Sequence, residues 1–128
     1  MNREKLAALM AGSINPRKFE HEIAEEVGRW VAILKKRGSS APIYLSQSGP
    51  TIIVSSSSAA HLIEAALASE MSIDSFRYVL EGLLLDPAVE WPDPCVRDCM
   101  ERISSLADAN ELSHDELQKA RAELNGGA

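Results

Sequence analysis

Apolar residues recur at helical spacing along most of the chain and at strand spacing in one stretch. Phe19, Ile23, Val27, Trp30 and Leu34 follow one another at steps of 4, 4, 3 and 4, a continuous stripe that predicts a helix over 16–37. Asn15-Pro16 opens it with a capping side chain and a proline in the first turn. Acids (Glu20, Glu22, Glu25, Glu26) crowd its first half and Lys35-Lys36-Arg37 its end, an order that complements the helix dipole, and Gly38 supplies the stop. Leu6, Leu9 and Met10 mark a shorter helix over 2–12. A helix is expected over about 59–69, capped from the serine run Ser55–Ser58. Ser72 opens another over 73–85, with Ile73, Phe76, Leu80, Leu83 and Leu84 as its buried side and Met71 and Phe76 as a hydrophobic staple. Asp86-Pro87 ends that helix. Asp93-Pro94 starts the next, through about Leu106, and Ser113-His114-Asp115-Glu116 is a capping box for a last helix to about Leu124.

The pattern changes over 39–58. Ile43-Tyr44-Leu45 and Thr51-Ile52-Ile53-Val54 are rich in β-branched and aromatic residues, and Ser46–Pro50 between them is turn chemistry. A β-hairpin is the expectation, lying on a helix or paired with another chain, because two strands alone are marginal. The predicted fold class is therefore mainly α with one β-hairpin (α+β): a single domain over 1–128 of about five or six helices. It divides into N-terminal helices (1–38), the hairpin (39–58) and a helical half (59–124). Trp30, Ile53, Phe76, Leu80 and Ile103 are among the expected core residues.

At 128 residues the chain is one domain long. Hydrophobic residues at 45% and charged residues at 25% are ordinary globular usage. No apolar run approaches the roughly 18 residues of a membrane span, and the stretch between Lys5 and Gly12 is too short for a signal-peptide core. The formal charge is −6, which argues against a general nucleic-acid binder. That charge is unevenly placed. Residues 1–59 carry a net +3, residues 60–93 a net −6 and residues 94–128 a net −3. Such asymmetry bears on partners and association rate.

Little of the chain carries catalytic or metal chemistry. Cys95 and Cys99 lie four apart with no further Cys and no nearby His, two ligands short of a closed zinc site, and read as small buried core positions. His21, His61 and His114 are scattered and match no nucleophile–base motif. The serines at 55–58 precede a helix but belong to no phosphate-loop pattern, so they read as caps. No enzyme activity, cofactor or metal is expected. Two cysteines and no disulfide framework suit a cytoplasmic location.

The acidic middle carries the functional lead. Asp74, Arg77, Tyr78, Glu81 and Leu85 are expected on the side of the 73–85 helix opposite the core, followed by Asp86 and by Glu90-Trp91-Pro92-Asp93. Seven of these residues, Asp74, Tyr78, Glu81, Asp86, Glu90, Trp91 and Asp93, form the expected partner-binding set. An amphipathic aromatic ringed by carboxylates suits a basic partner, since aromatics dominate interface energetics and charge sets encounter rate. The competing reading is that Trp91 folds back over the core and the acids are ordinary solvated surface.

The stretch MSIDSFRYVLEGLLLDPAVEWPDPCVRDCMERISSLADANELSHDELQKARAEL, within residues 60–124, resembles small bacterial immunity proteins of toxin–immunity pairs, including those of contact-dependent growth inhibition. The likeness lies in helix layout and acidity, and the hairpin departs from it. The resemblance implies a non-catalytic, cytoplasmic inhibitor of a cognate toxin with a basic surface, such as a nuclease, with neither nucleic acid nor membrane as partner. The chain would act as a monomer or homodimer. A homo-oligomeric adaptor pairing through the hairpin is the alternative, and a small enzyme with a site between helices is a third class.

Overall fold

Six helices account for most of the chain in a computed structural model, which describes residues 1–36, 42–46 and 49–126. They are α1 (Arg3–Met10), α2 (Pro16–Leu34), α3 (Ser56–Leu67), α4 (Ile73–Leu85), α5 (Pro94–Asp108) and α6 (His114–Gly126). Their starts follow side-chain capping. Asn15 accepts from the Arg17 amide at 2.8 Å and Asp93 from the Cys95 amide at 2.9 Å, each with proline next in the chain. Ser72 and Ser113 accept from the amides three residues on. Ser55 and Ser58 cap one another's backbone in a reciprocal box.

Three helices stop in one way. Gly12 (φ 76°), Ser69 (φ 57°) and Asn110 (φ 58°) take the left-handed conformation after α1, α3 and α5. The next amide then returns to the last turn: Ser13 to the Ala8 carbonyl, Glu70 to Ala65 and Glu111 to Leu106, at 2.8–2.9 Å. α2 ends at Leu34; the stop expected at Gly38 lies outside the described residues.

α3 is the hub. Ala59, Ala60, Ala65 and Ala66 are buried on it beside Leu62 and Ile63, and small side chains on several faces let α1, α4, α5 and α6 approach it. α6 runs along α3, where the Ser56 hydroxyl donates to the Leu124 carbonyl. α2 packs on α4, and α4 on α5. Phe19, Phe76, Leu80, Leu83, Met100 and Ile103 are fully enclosed between them.

The expected hairpin is absent among the described residues, so the α+β class gives way to an all-helical fold. The two segments read as strands form none among the described residues, and each makes its backbone hydrogen bonds elsewhere. Residues 44–46 bind the chain start: the Met1 ammonium donates to the Tyr44 carbonyl at 2.6 Å, the Ser46 amide to the Met1 carbonyl at 2.9 Å, and Arg3 to Ser46 through its amide and its Nε. Residues 52–54 pair with Glu90 in an isolated parallel bridge. Backbone groups must be satisfied somewhere, and these neighbours lie in reach. The inward positions of the second segment are Ile52 and Val54, so Ile53, expected in the core, is 54% exposed. Ile73 and Cys95, also expected inside, lie on the surface.

Candidate functional site

The segment between α4 and α5 is a short, pinned corner. Pro87 holds Asp86 in an extended conformation (ψ 116°), which ends α4. The Asp86 carboxylate accepts from the Ala88 amide at 2.8 Å. Val89 plugs into the core, and Glu90 clamps the 52–54 segment, its amide donating to the Ile52 carbonyl and its carbonyl accepting from the Val54 amide, both 2.9 Å. Asp93 then caps α5.

The seven expected site residues fall into different environments. Tyr78 is 4% exposed rather than outward. Its hydroxyl donates to Glu26 at 2.7 Å, and its ring meets Trp30 edge-on at 5.4 Å. Burial, and then the Glu26 carboxylate, push its phenol well above the usual range. The aromatic stripe of α2 creates this inward slot, which the spacing within α4 alone does not reveal. Glu81 is half-buried. Desolvation, reinforced by hydrogen bonding and repulsion from Asp108, raises its carboxyl from the ordinary 4.5 to about 7, against the pull of Arg77. At neutral pH it carries only part of a charge. Asp86 is consumed by Arg3, which is 3% exposed and meets it at 2.8 Å. Asp93 is exposed at the surface but is committed to its cap.

Asp74, Glu90 and Trp91 remain. Asp74 is exposed on the first turn of α4, at the rim of an open cleft of about 480 Å³ between α2 and α4 that also takes in Arg17, Glu20 and His21. Burial opposes charge on Glu20, but hydrogen bonds from the Ser72 amide, the Ser72 hydroxyl and Ser75 outweigh it and lower the carboxyl. Glu90 is exposed and enters no ion pair among the described residues. Trp91 is half-buried: one portion packs against the core and another meets solvent.

Arg97 ties this corner together. Its guanidinium lies 5.4 Å from the centre of the Trp91 ring, donates to the Leu84 carbonyl at 3.2 Å and pairs with Glu101 at 2.9 Å. The end of α4 and Trp91 are therefore within one side chain's span. Leu85, expected outward on this helix but not counted in the partner-binding set, is 66% exposed beside Leu84, and sequence reasoning missed Asp98, exposed on α5 without an ion pair among the described residues. Leu85 was visible as the member of the Leu83–Leu85 run that the core stripe leaves outside. The corner thus brings together an exposed leucine, a half-exposed tryptophan and the carboxylates of Glu90 and Asp93, with Asp98 one turn along α5.

The other chemical candidates have structural roles. Cys99 is buried, and desolvation raises its thiol, which makes it a poor nucleophile. The serines at 55 and 58 cap α3. Among the described residues no group of three or more His, Cys, Asp or Glu side chains is placed to hold a metal, and no helix is long and apolar enough to cross a membrane. Compared with known proteins, the chain matches no protein-family model, no curated protein and no solved structure. The immunity-protein resemblance gains nothing from these comparisons and rests on layout and acidity alone.

Proposed function

We propose that the chain is a non-catalytic protein-binding inhibitor of the immunity type, which engages a basic partner through the corner between α4 and α5. The partner is a toxin whose surface is basic because it handles phosphates, as a nuclease must. The observation that supports this is what Arg97 joins: it holds the Leu84 carbonyl, one residue from a leucine two-thirds exposed, and lies over the ring of Trp91, whose chain neighbour Glu90 enters no ion pair among the described residues. An apolar anchor inside an acidic rim is what tight, fast recognition of a basic surface uses. Relative to the seven residues expected from sequence, the surface narrows to Leu85, Glu90, Trp91 and Asp93 and extends to Asp98. Tyr78, Glu81 and Asp86 act inside the fold.

The test is co-expression and binding with the protein encoded next to this one in its own genome. Tight binding that weakens at high salt, and is lost in Glu90→Lys and Asp98→Lys, supports the proposal. Binding indifferent to salt and to both charge reversals overturns it.

A further inference from the structure

The bridge to Glu90 uses one edge of the 52–54 segment and leaves the other open. Glu90 supplies both of its own backbone groups, to the Ile52 carbonyl and from the Val54 amide. Backbone direction alternates along an extended strand, so the amide and carbonyl of Ile53 point the opposite way. Neither forms a hydrogen bond with the described residues, and the same is true of the Thr51 backbone. An unpaired edge of this kind is a template for another strand.

Beside it runs a groove of about 380 Å³, walled by Ala7 and Met10 of α1 with Ala11 just beyond it, and by Thr51, Ile53, Ser55 and Ser58. No charged residue lines it. From Gly38 to Ile63, moreover, the chain holds no Asp, Glu, Lys or Arg, although its net charge is −6. The occupant must therefore be extended, uncharged and apolar at alternate positions. Thr51–Val54 itself meets each requirement, being β-branched, free of charge and open along its backbone. For two copies of an acidic chain, this strip is also where like charges repel least.

We propose that a second copy adds its Thr51–Val54 segment antiparallel to this edge, forming a two-fold dimer in which each copy's Ile53 lies against the other's groove. So short a strand makes the dimer concentration-dependent. The pairing uses the edge of this segment opposite the one that Glu90 clamps, and leaves Leu85 unused.

Light scattering and sedimentation across a wide concentration range, with amide exchange followed at Thr51 and Ile53, test it. The expected mass rises from the single-chain 13.9 kDa towards twice that value, and exchange at both amides slows in step. Ile53→Lys, at an exposed position, keeps the melting temperature but abolishes both effects, whereas Ile73→Lys on α4 abolishes neither. A single-chain mass throughout the soluble range, or a dimer that survives Ile53→Lys, overturns the proposal.

Discussion

The joint between α2 and α4 and the corner between α4 and α5 draw on the same residue types, aromatics among acids, and use them in opposite directions. At the joint they face inward. Tyr78 donates to Glu26, the Met1 ammonium pairs with Glu26 at 3.2 Å, and Arg77 lies over Trp30 while reaching Asp108 at 3.2 Å. At the corner Asp86 is spent on Arg3 and Asp93 on its cap, but Glu90 and Asp98 keep unpaired charge and Leu85 stays in solvent. Charge counted along the chain is thus not charge on offer. Part of the acidity in residues 60–93 holds the fold together, and only the remainder can meet a partner.

The sharpest way to break this contrast is to truncate its two tryptophans. Trp30 is 3% exposed in the joint, and Trp30→Ala should cost about 3–5 kcal/mol in denaturant unfolding. Trp91→Ala should cost clearly less, because only part of the indole is enclosed. Equal losses would make Trp91 a pillar of the core and remove it as an anchor.

Asp86 is the next test, since it stands in the corner yet behaves as a joint residue. Asp86→Ala leaves the Arg3 guanidinium buried without its carboxylate, an expected loss of about 3 kcal/mol. Adding Arg3→Met should return part of it, as a double-mutant cycle would record. A loss below about 0.5 kcal/mol would mean that Asp86 is surface charge after all.

How much of this was legible in the sequence follows from the range of the interactions. Helix starts were, because a cap and its amide lie within three residues: Asn15, Ser72, Asp93 and Ser113 all serve as read. Two of the stops were not, since Ser69 and Asn110 adopt a conformation that glycine would have advertised. The β-branched residues at 43–45 and 51–54 suggested two paired strands, and the true partners were not legible, because Arg3 and Glu90 are brought to these segments only by tertiary folding. Tyr78 misled for the same reason. Its position on α4 points away from that helix's own stripe, and α2 supplies the second wall that buries it. At the corner the acids and Trp91 could be read, but which acids are free depends on Arg3, distant in the chain.

Glu81 sharpens the contrast through pH. The folded state holds its proton up to about 7, while the unfolded chain releases it near the ordinary 4.5. Between those values the folded form binds more protons, so the contribution of Glu81 to stability falls as pH rises through this window and is level above it. Glu81→Gln removes the effect. Melting temperatures of variant and wild type should diverge in the variant's favour from about pH 4.5 to 7 and then run parallel. A constant gap would return Glu81 to solvent and to the charged surface.

The smallest stability effect is expected where the binding effect is largest. Glu90 holds its place through its backbone, whose amide and carbonyl make the bridge to 52–54, and its side chain makes no ion pair. Glu90→Lys should therefore change unfolding free energy by no more than about 0.5 kcal/mol. It reverses a charge one residue from Trp91 all the same, so binding of a basic partner should fall through slower association, most steeply at low salt. A variant that melted several degrees early would show the carboxylate to be structural, and the corner would then differ from the joint only in degree. Unchanged melting with slowed association would separate the two regions: one whose side chains are spent on folding, the other whose backbone is spent and whose side chains are free.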